Sequence, residues 1–152
     1  MAEIVRATME DVVYVARNMR PRDRDEIYAC FWEDDPAVLA GDVMAFDSFS
    51  WVVRAERPIA AMGAIPLHPG VWSVWLFATI EFNQISLLAT KFVRRVMMPS
   101  VRAAGAHRAE CRSLDVHTEA HQWLEFLGAR REAVLRQYGR NKEDFYLYAW
   151  SE

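Results

Sequence analysis

The sequence predicts a single α+β domain built on a central mixed β-sheet of about six to seven strands flanked by about four to five helices. Three observations point to this. Strand-period and helix-period segments alternate along the chain, with no repeat, linker or low-complexity stretch between them. Val71–Ala78 is apolar on both sides, as a central strand covered on both faces should be. That strand feeds a long amphipathic segment and then another strand, which makes the two strands parallel neighbours through a right-handed crossover.

The elements follow in order. Glu3–Ala7 reads as an edge-type strand. Thr8 caps a helix over Met9–Met19, with Val12, Val13, Ala16 and Met19 at helical spacing. Pro21 suits the first turn of a second helix, Arg22–Phe31. Its buried side is Ile27, Cys30 and Phe31, and Asp23, Asp25 and Glu26 complement its dipole. Asp34-Asp35-Pro36 stops one element and starts a short helix over Ala37–Phe46. Phe49–Ala55 and Ile59–Pro66 form a hairpin about Glu56-Arg57-Pro58, with Gly63 marking a bulge or a close backbone approach. After the central strand comes the main helix, Asn83–Met98. One apolar line on it is Ile85, Leu88, Phe92 and Val96; Ala89, Val93, Met97 and Val101 extend it. Pro99 is expected to kink or end it. His107–Leu114 is a strand, and Thr118–Leu127 a helix with Trp123, Leu124 and Leu127 inward and Gly128 as a left-handed cap. Arg130–Tyr138 and Asp144–Trp150 form a final antiparallel hairpin.

Composition narrows the function classes. The 152 residues are 53% apolar and 26% charged, with six Trp and eight Phe, so one aromatic-rich core is expected. A chain of this length buries roughly 70% of its extended surface. The net charge of −3 gives no global attraction to nucleic acid or to an anionic membrane. No run of about 18 apolar residues suits a membrane span. The chain opens on a strand rather than a basic, apolar leader, so a cytoplasm is the expected location. Cys30 and Cys111 lack motif spacing and are expected to be reduced, buried hydrophobes.

Other signals are weaker. His117 and His121 stand one helical turn apart, but no third ligand is visible, so no metal is expected. His121 is expected to be partly exposed. Lys91, Arg94, Arg95, Arg102 and Arg108 suggest a solvated basic face. Trp72, Trp75, Phe77 and Phe82 suggest core, with Trp75 or Phe77 able to face a groove along a splayed strand.

This element order resembles the GNAT-like acyl-CoA N-acyltransferase fold over essentially all 152 residues. The resemblance is most specific in VWSVWLFAT, the main helix, RAECRSLDV and HTEAHQWLEFLGA. VWLFAT paired with KFVRR and WLEFLGA, after RPRDRDEI, is also similar to a GNAT-like group of tailed phages that includes internal virion proteins. The resemblance implies acetyl-CoA as cofactor. Its pyrophosphate would sit after the central strand on Arg or Gln, two residues, Gly, one residue, then Gly or Ala. The nearest match is Gln84-Ile85-Ser86-Leu87-Leu88-Ala89, so the implied contacts are Phe77, Ala78, Thr79, Gln84, Ser86, Leu87 and Ala89. Leu87 replaces the central Gly, and is expected either to fill the phosphate position or to turn inward and shift the loop. The family's proton-donating Tyr, four residues before Gly128, is Leu124 here. Glu81, at the end of the central strand, is the candidate general base. Loss of Gly and Tyr favours a non-catalytic structural or accessory protein with a degenerate acetyl-CoA site, associated with a virion. Its partners would be other phage or virion proteins, or a second copy of the chain. The alternative is an acetyl-CoA-dependent N-acetyltransferase with an atypical pyrophosphate loop.

Overall fold

The computed structural model describes residues 1–151, leaving aside the side chains of residues 47 and 48. The strands are β1 (Glu3–Arg6), β2 (Ser50–Arg54), β3 (Pro58–His68), β4 (Val71–Ala78), β5 (Arg108–Leu114), β6 (Arg130–Leu135) and β7 (Phe145–Ser151). They form one sheet in the order β1-β2-β3-β4-β5-β7-β6. Every neighbouring pair is antiparallel except β4 and β5.

That parallel pair holds the key to the architecture. β4 and β5 are in register only from Val71–Ser73 against Arg108–Glu110, and beyond these residues they part. The far end of β4 finds other partners on the same edge. Met19 bridges to Thr79, and the Arg20 amide donates to the Ala78 carbonyl at 2.8 Å. Helix α1 (Met9–Arg17) therefore stops earlier than its apolar pattern suggests, because residues 19 and 20 extend to meet the sheet.

Two layers of helix cover the sheet. On one face, α1 and α3 (Pro36–Val43) bury Val12, Val15, Ala16 and Leu39 against Val52, Ala61 and Phe77. α2 (Pro21–Tyr28) lies across the parted strands on that face. On the other face, α4 (Ser86–Phe92) passes through one π-helical turn (Val93–Met97) into α5 (Met98–Ala103). Ala89, Val93, Met97 and Val101 pack there on Trp72 and Val74, while Leu88 and Val96 stay largely on the solvent side. The final helix, α6 (Thr118–Phe126), ends at Gly128 with φ +98°, the left-handed cap its sequence implies.

Several expectations are corrected. Pro99 does not end the main helix, which continues to Ala103; the helix is instead disrupted by the π-helical turn just before this proline. The wide turn before it, in which the Met98 amide bonds the Val93 carbonyl, loosens the ladder where a proline would clash. The Ser100 hydroxyl donates to the Val96 carbonyl at 2.7 Å, supplying a donor beside Pro99. Cys30 is exposed and Cys111 half-buried. His121 is buried, its Nε2 donating to the Leu114 carbonyl at 2.9 Å. Gly63 is a close approach: a Cβ there would lie 2.3 Å from the Phe49 carbonyl and 2.7 Å from Trp75.

Candidate functional site

The parting of β4 and β5 opens a cleft of about 510 Å³ that is lined from both faces of the sheet. On the α2 side its walls include Asp23, Glu26, Ile27, Arg112 and Tyr138. On the other side they include Asn83, Met97, Ala120, Trp123 and Leu124. Arg20 sits over the Phe82 ring at 4.7 Å, and Phe82 meets Trp123 edge-on, so aromatic packing shapes the rim between them.

Two acids on α2 span the gap. Asp23 and Glu26 are three residues apart and so share one helix face. Asp23 accepts the Ala78 amide on β4 at 2.8 Å and forms a bidentate pair with Arg20. Glu26 accepts the Leu114 amide and the Ser113 hydroxyl on β5, each at 3.2 Å. His117, the residue capping α6, lies between the acids. Its Nδ1 is 2.6 Å from Glu26 and its Nε2 is 3.8 Å from Asp23. Burial pushes the Asp23 carboxyl above its usual range, against the opposing pull of the Arg20 guanidinium. All three Glu26 contacts use Oε2, which leaves Oε1 uncommitted among the described residues. This carboxylate–imidazole–carboxylate group was not singled out from sequence. Its one local signal is the three-residue spacing of Asp23 and Glu26, which reads equally well as a favourable helix start.

The sequence-derived candidates are dispersed. Glu81 forms a two-bonded pair with Arg57 at 2.7 and 2.9 Å and is not part of the cleft lining. Phe77 is fully buried under the first helical layer and stacks on Trp75, which does line the cleft. Ala78 has its amide held by Asp23 and its carbonyl by Arg20. Thr79 caps the short 3-10 turn Ile80–Gln84 by accepting the Glu81 amide.

Leu87 does not turn inward. It is 67% exposed, because α4 starts at Ser86 and Ala89 takes the inward position. Gln84 is also exposed, and the amides of Ser86, Leu87 and Leu88 have no acceptor among the described residues. Leu124 does line the cleft. Tyr138 lines the α2 side, and Tyr148 is buried, its hydroxyl donating to Glu125 at 2.8 Å. Burial pushes the Cys111 thiol up to about 12. Among the described residues no group of three or more His, Cys, Asp or Glu side chains is placed to hold a metal. No described helix is long and apolar enough to cross a membrane. Lys91, Arg94, Arg95 and Arg102 are exposed on the main helix, whereas Arg108 pairs with Glu110 and Glu132.

No protein-family model and no curated protein matches the chain. Solved structures do match over 99% of its length. Ard1 from Thermoplasma volcanium is 14% identical at a TM-score of 0.77, with 97% of that chain covered. The acetyltransferase (GNAT family) from Bacillus anthracis is 15% identical at a TM-score of 0.73, with 94% covered. YncA from Salmonella typhimurium, solved with its cofactor acetyl-CoA, is 12% identical at a TM-score of 0.74, with 94% covered. At these identities the likeness is one of fold: the chain has the GNAT-like fold, a seven-stranded mixed sheet opened between its two parallel strands.

Proposed function

We propose that this chain is an acetyl-CoA-dependent N-acyltransferase that acts on an amine entering from the α2 side. The observation that carries the reading is the cleft itself, which is lined from both sheet faces and has Glu26 on its α2 wall. A donor and an acceptor can approach from opposite sides of such an opening and meet within it.

The residues present fit an acyl-CoA in two respects. The unpaired amides of Ser86, Leu87 and Leu88 suit a pyrophosphate, and Asn83, three residues before them, lines the cleft. When bound, the group supplies an acyl thioester and leaves as a thiolate. The protein's own chemistry centres on Glu26. Its Oε1 accepts a proton from the acceptor ammonium, while Ser113, Leu114 and His117 hold Oε2 and fix the carboxylate. Asp23 faces the other nitrogen of His117 and so orients the ring. The missing phenol at 124 lowers the rate rather than abolishing the chemistry. A general acid contributes about 10²–10⁴-fold, and a thiol with a pKa of about 8.5 departs as its anion.

A second reading is the structural or accessory role in a phage particle, with other virion proteins or a second copy as partners. It is favoured by Leu124, which cannot donate a proton, and by Asp23 and Arg20 together occupying both backbone groups of Ala78. Calorimetric titration with acetyl-CoA separates the two. Binding in the micromolar range that weakens on Ser86→Trp supports the transferase. No heat at about 1 mM acetyl-CoA overturns it, and detection of the chain in purified virions would then support the accessory role.

A further inference from the structure

At the α2 end of the cleft Arg20 is paired with Asp23, and a second cation, Arg112, stands among apolar side chains. Ile27, Phe31, Tyr138 and Phe145 line it together with Arg112. The Arg112 guanidinium lies over the Tyr138 ring, 5.8 Å from its centroid. Its one carboxylate contact among the described residues is Glu110 at 3.4 Å, longer than a charge-assisted hydrogen bond. Its Nε is buried and has no acceptor. Buried donors are seldom left unpaired, and a ligand is one way to satisfy them. On the neighbouring residue, the Ser113 hydroxyl holds Glu26. A cation with spare donors, from β5, and a carboxylate with a spare oxygen, from α2, thus line one aromatic-walled cleft.

We propose that the acceptor is amphoteric: a primary amine and a carboxylate on an apolar or aromatic skeleton, the chemistry of a free apolar α-amino acid. Arg112 reads the carboxylate, Glu26 faces the ammonium, and the aromatic walls take the side chain. The proposal deepens the transferase reading and rests on it for the fate of the amine, while the binding step can be tested by itself. An amine without the carboxylate leaves the Arg112 donors unpaired, and a carboxylate without the amine leaves Glu26 facing nothing. This end of the cleft therefore rejects both half-molecules.

Three probes decide the point by calorimetry without acetyl-CoA: L-phenylalanine, phenethylamine and 3-phenylpropionate. L-phenylalanine should bind about tenfold or more tightly than either fragment. Arg112→Met should remove its advantage over phenethylamine and leave phenethylamine binding unchanged. Arg112→Lys should keep part of it, since lysine retains the charge but not the planar fork. Equal or tighter binding of phenethylamine overturns the proposal. So does an unchanged preference in Arg112→Met, or no L-phenylalanine binding at about 10 mM. If Arg112→Met does not fold, as circular dichroism would show, the wild-type comparison of the three probes decides alone. A parallel acetyl-CoA titration keeps the two failures apart. Discrimination among the probes without acetyl-CoA binding sinks the transferase and leaves the subsite. Acetyl-CoA binding without discrimination sinks only the subsite.

Discussion

The Asp23 carboxylate accepts the amide hydrogen of Ala78 at 2.8 Å, across 55 residues of sequence. It takes the backbone donor that β5 would have satisfied had the strands stayed paired. With Glu26 doing the same for Leu114, one helix face holds both lips of the opening. The cleft is therefore braced from above by side chains, and its width depends on them.

Removing one brace should be costly. Asp23→Ala leaves Arg20 without its carboxylate and the Ala78 amide without an acceptor. Loss of one partner of a buried pair costs about 3–5 kcal/mol. Asp23→Asn keeps an acceptor for Ala78 and should cost clearly less. Urea unfolding of the two variants measures the difference. Equal losses would show that the amide contact contributes nothing.

His121 makes stability depend on pH. Burial lowers its pKa from the ordinary 6.5, so the unfolded chain takes up a proton before the folded one does. The contribution is fully present above 6.5 and is lost as pH falls from there through the lowered folded value. Thermal midpoints measured between pH 8 and pH 5 should drop for the wild type on the acid side, all within roughly the window where histidine titrates. His121→Gln can still donate to Leu114 and should flatten that part of the curve. An unchanged slope in the variant would assign the effect elsewhere.

Two glycines should respond oppositely to alanine. Gly63→Ala forces a methyl onto the Phe49 carbonyl and Trp75, an overpacking that costs about 1–3 kcal/mol. Gly41 sits within α3 with nothing within 4 Å of a new Cβ. Gly41→Ala should stabilise by about 0.5–1 kcal/mol through helix propensity. Melting temperatures of the pair test the packing of β2 against β4 across Gly63.

Under the transferase reading, Glu26→Gln should lower kcat by about 10²–10⁴-fold and leave acetyl-CoA affinity unchanged, since its side chain lies on the acceptor side. Leu124→Tyr places a phenol on the cleft wall and should raise kcat by about tenfold or more, within the range open to a general acid. Steady-state kinetics with one amine acceptor test both. A Glu26→Gln enzyme as fast as wild type would remove Glu26 from the chemistry.

Much of the fold is legible because its causes are local. The continuous apolar run of β4 and the spacing of Val12, Ala16 and Met19 state which faces are buried before any contact is known, although Val15 rather than Val13 completes the buried side of the helix. So does the turn chemistry at Gly128. Even the parallel pairing of β4 and β5 follows from one strand–helix–strand crossover. Leu87 shows where this stops. Whether it fills a loop or meets solvent depends on a one-residue choice of helix start, which apolar spacing alone leaves open.

The site lies on the far side of that boundary. The amino-acid pattern by itself determined the layers and the order of the elements, since each is written within a dozen neighbouring residues. Only the tertiary structure decided that Asp23, Glu26 and His117 form one group. Glu26 and His117 are 91 residues apart, and no local periodicity encodes a contact made by folding one helix across the gap between two diverging strands. It also gave Glu81 its partner, Arg57 from the neighbouring hairpin turn, a contact set by the pairing of β3 with β4.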